Sequence, residues 1–231
     1  MAKILLGGNV SQISGSVGGT VYSRNRYGAY ERSRVHPTRV TSKPASDAKT
    51  ILSGVSGAWA GLAEDYKAAW RQYAVNNPIM DRVGMRQALD GHAMFVKVNA
   101  RLLAAKQDAL TLPVMGEMPG PISTAELTAH SVDSALSLAF GEAALTASQM
   151  LQVWGCVVDS AGKSYVDNLL RCFFYSELEA ASPVDLLDAW VARFGEMSAG
   201  EFIHLRLYVL DSLTGLRSQP FAVVGEVTLG S

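Results

Sequence analysis

The stretch Phe202-Ile203-His204-Leu205-Arg206-Leu207-Tyr208-Val209-Leu210-Asp211 puts Ile203, Leu205, Leu207 and Val209 in one apolar row, with His204, Arg206 and Tyr208 in the opposite one. Successive residues of a strand point to opposite faces, so this period of two predicts a long β-strand with one face on a core. The same period runs through Leu136, Leu138 and Phe140, and again through Leu151, Val153, Gly155 and Val157. Turn residues separate these runs at Ser160-Ala161-Gly162 and between Asp211 and Gly215. The spacing predicts about seven strands over about 110 residues, the pattern of a two-sheet antiparallel sandwich. One segment reads both ways. Ser182-Pro183-Val184-Asp185 could cap a helix bearing Leu187, Trp190, Val191 and Phe194, whereas Trp190, Ala192 and Phe194 alternate as a strand. The strand reading is preferred, because the sandwich needs one there.

Upstream of this region Pro113, Gly116, Pro119, Gly120 and Pro121 mark a linker, and before it the period is helical. Ser46 and Asp47 cap a first helix that buries Ile51, Leu52, Val55 and Trp59. A second helix sets Leu62, Tyr66, Ala69, Trp70, Tyr73 and Ala74 on one face and ends at Asn76-Asn77-Pro78. A third begins near Asp90, with Ala93, Phe95, Val96, Val98, Leu102 and Leu103 inward and Lys97, Arg101 and Lys106 outward. Three such helices are too small to form an independent domain.

Residues 1–44 differ from the rest, with glycines interleaved among Ser, Thr and aromatic residues and few apolar positions. No compact domain is expected there. Thr20 to Ser23 and Ala29 to Val35 are strand-prone runs flanking Asn25-Arg26-Tyr27-Gly28, so the segment reads as an extended arm that can form a β-hairpin. Fully extended, it could reach on the order of 140 Å at ~3.3 Å per residue. His36-Pro37 and Lys43-Pro44 punctuate its exit.

The 231-residue chain is 48% hydrophobic, enough for a substantial core, and its formal charge of −1 hides an asymmetry. Residues 1–50 carry eight Lys and Arg against two acids, a balance of +6; residues 51–111 carry seven against five, or +2; residues 112–231 carry five against fourteen, or −9. Copies polarised in this way can attract head to tail, or dock basic end first on an acidic surface. Ile4-Leu5-Leu6 is too short an apolar run for a signal peptide, and no segment reaches the ~18–20 apolar residues of a membrane span. The expectation is a protein that stays in a cytoplasm unless it leaves within an assembly. Cys156 and Cys172 fall out of register for a bridge across a turn at Asp159 to Lys163, so both are read as free buried thiols.

The motifs that could carry chemistry are each incomplete. His36, His92, His130 and His204 are scattered, which argues against a metal site. Gly162-Lys163-Ser164 has the tail of a phosphate loop but Val157 where the leading glycine belongs, and it reads as a hairpin turn. Gly15-Ser16-Val17-Gly18 is no nucleophile elbow, and Glu177 with Glu179 read as a solvated strand end. No catalytic residue, cofactor or metal is expected. The one stretch with binding chemistry holds Tyr22, Arg24, Arg26, Tyr27, Tyr30, Arg32 and Arg34. Tyr and Arg anchor protein interfaces, and the same mixture grips single-stranded nucleic acid. A protein partner ranks first and a mobile tail second. Nucleic acid ranks third, because the acidic C-terminal region would repel a polyanion.

Two likenesses add to this reading. The run Ser14 to Gly28, then Ala69-Trp70 with Tyr73-Ala74, then Gly91, Phe95 and Asn99, resembles small proteins encoded among the structural genes of tailed phages and prophages. That resemblance implies a part of a virion assembled in the host cytoplasm, without giving its position. Phe202 to Asp211, Gly215 and Ser218-Gln219-Pro220 are similar to the last hairpin of fibronectin type III or related immunoglobulin-like domains, with Phe202 or His204 where that family has a tyrosine.

The expected fold is therefore α+β: an extended basic arm over 1–44, a short three-helix module over 45–111, a linker over 112–121 and an all-β immunoglobulin-like sandwich over 122–231. The expected function is structural and non-enzymatic, as a capsid-decorating or neck and tail accessory protein anchored by its N-terminal arm and helices with the acidic sandwich exposed. The seven Tyr and Arg residues would bind other virion proteins or copies of the chain, with no membrane partner. Two rivals remain: a carbohydrate or host-surface module using Trp154, Trp190 or Tyr208, and nucleic-acid binding by the arm.

Overall fold

The computed structural model describes residues 2–3, 8, 10, 12–26, 28–35, 42–80, 86–132, 135–141 and 144–230. Tyr27, Ile4-Leu5-Leu6 and His36-Pro37 lie outside the described residues. The fold is α+β and mostly β, and the chain divides into two units, Met1–Ser46 and Asp47–Ser231.

In the first unit, strands β1 (Ala2–Lys3), β2 (Gly15–Val17), β3 (Thr20–Asn25) and β4 (Gly28–Ser33) form an antiparallel sheet in the order β1-β4-β3-β2. Val17 pairs with Thr20 across Gly18-Gly19, and Asn25 pairs with Gly28, so both turns are two residues long. A sheet thus occupies a region where the sparse apolar pattern predicts no compact domain. Backbone pairing and tight turns build it, not a core, for no residue of β2, β3 or β4 is buried.

The second unit opens with α1 (Lys43–Gly61), whose first residues precede the unit boundary, and α2 (Glu64–Asn76). A short ladder of β5 (Ile79–Met80) and β6 (Arg86–Gln87) follows, then α3 (Gly91–Ala104). The Asp90 side chain caps α3, accepting the Ala93 N–H at 2.7 Å. Trp70, Tyr73 and Ala74 of α2 are buried with Met94, Phe95, Val98 and Leu102 of α3, and Val55 joins them from α1. Trp70 stands edge-on to Phe95 at 5.4 Å, and its Nε1 donates to the Thr111 carbonyl at 2.9 Å. Fully buried Asn99 donates to the Leu110 carbonyl at 3.1 Å and accepts the Leu110 N–H at 2.6 Å. These bonds fix the segment leaving the helices by satisfying backbone groups that burial would otherwise strand.

Strands β7 (Ala125–His130), β8 (Ala135–Phe140), β9 (Gln149–Val158), β10 (Arg171–Tyr175), β11 (Val184–Asp185), β12 (Phe202–Asp211) and β13 (Phe221–Glu226) complete the unit, with α4 (Leu187–Phe194) between β11 and β12. They form two antiparallel sheets, β10-β9-β12-β13 and β11-β8-β7. The apolar row Ile203, Leu205, Leu207 and Val209 lies in one core with Leu151 and Val153 of β9 and Leu136, Leu138 and Phe140 of β8. The strands β9 and β12 pair over ten residues, from Phe202 with Val158 to Asp211 with Gln149.

Residues 187–194 are a helix, against the strand reading. A two-residue strand, Val184–Asp185, meets the need of the sheet, and the chain then turns so that Trp190, 1% exposed, and Phe194 both meet Phe173 edge to face. Gly155 makes the space: a Cβ there would lie 2.9 Å from Phe173, 3.0 Å from Trp190 and 3.1 Å from Leu205. Ser160-Ala161-Gly162 is likewise not a tight hairpin turn; the chain crosses residues 159–170 before β10, and Val166 and Leu170 cover Cys156 and Val158.

Candidate functional site

The register of the N-terminal sheet distributes the Tyr and Arg residues. Tyr22 is opposite Glu31 and Arg24 opposite Ala29, whereas Tyr30 is opposite Ser23 and Arg32 opposite Val21. With a period of two, Tyr22 and Arg24 share one face, and Tyr30 and Arg32 share the other. Arg26 occupies the β3–β4 turn, and Arg34 follows β4, its N–H donating to the Gly19 carbonyl at 2.7 Å. The tyrosines Tyr22 and Tyr30 are half-buried, and Arg24, Arg26, Arg32 and Arg34 are exposed. The stretch that looks like one patch in sequence is thus a two-sided sheet with a Tyr–Arg pair on each side.

Of the aromatics considered for a carbohydrate platform, Trp190 is core, while Trp154 and Tyr208 are half-buried. Among the described residues no group of three or more His, Cys, Asp or Glu could hold a metal ion. Cys156 and Cys172 are free, and burial pushes both thiols above their ordinary pKa, away from the reactive thiolate. Among the described residues no helix is long and apolar enough to cross a membrane.

A feature absent from the sequence reading lies between α3 and the outer face of the β9–β12 sheet. Lys97 and Arg101, one turn apart on α3, are half-buried rather than outward, beside Arg217 and Tyr208 in a cleft of about 510 Å³. α3 lies against the sheet and the loop after β12: Ala105 packs on Met150 and Leu210, and a Cβ on Gly215 would meet Val98 at 2.6 Å. The Arg217 guanidinium lies 3.9 Å over the Tyr208 ring and donates to Gln152 Oε1 at 3.2 Å; Gln152 Nε2 donates to the Tyr175 hydroxyl at 2.8 Å. Burial, then the neighbouring charges of Arg101 and Arg217, lowers the Lys97 pKa to about 8. Burial and Arg217 lower that of Arg101 to about 10. The ion pairs of Arg71 with Glu64 and of Arg206 with Asp167 lie elsewhere, and among the described residues no acid pairs with Lys97 or Arg101. No sequence signal could have joined these groups, because Arg217 is far along the chain from α3 and in an irregular loop.

No protein-family model matches the chain, and a search of curated proteins finds no significant match.

Proposed function

We propose that the chain is a structural, non-enzymatic component of a phage-type particle, a capsid-decorating or neck and tail accessory protein anchored by its N-terminal sheet. The observation that carries this reading is a four-stranded sheet in which no residue of β2, β3 or β4 is buried. Small sheets need an apolar face packed on something to be stable in water. Tyr and Arg on both faces, with basic charge around them, supply anchors for an acidic protein surface. The assignment to a virion rests on the resemblance of residues 14–28, 69–74 and 91–99.

The two-sheet body is, in this reading, an immunoglobulin-like sandwich left exposed on the particle. Supporting it, the first, second and fifth of its seven strands form one sheet, and the third, fourth, sixth and seventh form the other. That is the distribution of fibronectin type III-like domains, a fold that fixes no function by itself.

Amide hydrogen exchange tests the anchoring. In the isolated chain, residues 12–35 should exchange fast and be cut early by protease, and both should slow markedly once the chain is bound in a particle. Slow exchange of these residues in a monomer would overturn the anchor reading.

A further inference from the structure

We infer that the cleft between α3 and β12 is a binding site for a phosphate-type dianion, held by Lys97, Arg101 and Arg217. This goes beyond the structural role above and involves none of the anchoring residues. Three cations converge on one cleft of about 510 Å³, and among the described residues no carboxylate pairs with Lys97 or Arg101. Bringing positive charges together out of water is unfavourable unless a counter-charge joins them. The lowered pKa values of Lys97 and Arg101 register that cost, yet both groups stay mainly protonated at neutral pH.

The number of charges selects the ligand. One carboxylate would leave two positive charges uncompensated, whereas a phosphate dianion offsets two and offers several acceptor oxygens to the guanidinium of Arg101. Arg217 is already oriented by Gln152 and the Tyr208 ring, so little freedom is lost when an anion arrives. Met94 and Met118 also line the cleft, giving an apolar wall for the organic body of a phosphate monoester. The shared chemistry is the phosphate group; its source is free phosphate or such an ester.

Calorimetric titration of the full chain at constant ionic strength tests this, with inorganic phosphate, phenyl phosphate, benzoate and chloride as separate arms. Saturable binding of phosphate, with benzoate and chloride silent, is expected. Tighter binding of phenyl phosphate identifies an ester as the source, and equal binding identifies free phosphate. Arg101→Met and Lys97→Gln should each weaken phosphate about tenfold or more, whereas Lys163→Met, at an exposed loop position, should not. Arg101→Met keeps the packing while removing a half-buried charge repelled by its neighbours, so without phosphate it should melt no lower than the parent. Phosphate heats indistinguishable from chloride, or affinity unchanged in both cleft variants, would overturn the inference.

Discussion

Lys97 carries a stability signature of its own. Its pKa falls to about 8 in the folded chain, chiefly through burial, with Arg101 and Arg217 adding repulsion; Tyr208 is the other titratable group lining the cleft, and Tyr175 acts on Arg101 from beside it. The unfolded value is ~10.4. Below the folded value both states are protonated and the native state carries the whole desolvation cost. Between about 8 and ~10.4 the native state releases the proton first, so the unfolded state binds more protons and stability from this group rises with pH. The thiols of Cys156 and Cys172 and the phenol of Tyr175 are shifted upward by burial and contribute in the opposite sense. The measurement is therefore a difference: phosphate-free urea denaturation of the parent and of Lys97→Met across pH 7 to 10. The parent should gain on the variant as pH rises, and a constant difference would show that Lys97 titrates normally. The sequence placed Lys97 and Arg101 on a helix, as the periodicity of α3 requires. It gave no means of seeing that their side of the helix meets β12, because that contact depends on tertiary docking of segments over one hundred residues apart.

At the scale of elements, legibility followed length. The strands β9 and β12 are ten residues each, and five repeats of a two-residue period leave little ambiguity. α4 is eight residues, and Leu187, Trp190, Val191 and Phe194 fit a helix as well as Trp190, Ala192 and Phe194 fit a strand. The deciding factor was a cavity, and cavities are not written locally: Trp190 and Phe194 fill the space that Gly155, on a strand over thirty residues upstream, leaves open against Phe173. Gly155→Ala tests that account. The added methyl would crowd two aromatic rings and Leu205, so the variant should lose ~1–3 kcal/mol in urea denaturation, the usual cost of overpacking a close-packed core. A neutral result would mean that the α4 aromatics shift freely. The N-terminal sheet was legible only as strand-prone runs. Its β3–β4 pairing follows from those runs, but the joining of β1 to β4 and β2 to β3 does not.

Across the whole molecule, the balance runs from +6 over residues 1–50 to −9 over residues 112–231, while the chain totals only −1. Net repulsion between copies is therefore weak, and the attraction of one copy's basic segment for another's acidic segment is not offset by it. Such attraction acts through solvent and is screened over ~10 Å at 0.1 M salt, against ~30 Å at 0.01 M. Sedimentation velocity should accordingly show association at about 20 mM NaCl that dissolves toward monomer at about 500 mM. Reversing charge at Arg24 and Arg26, or at Arg32 and Arg34, separates the two faces of the N-terminal sheet, since Arg24 and Arg32 project from opposite sides. If one face makes the contact, one double variant should abolish the low-salt association and the other should only weaken it through net charge. Equal loss in both would assign the attraction to diffuse charge rather than to a docked face, and a monomer at every salt concentration would remove self-attraction from the account of assembly.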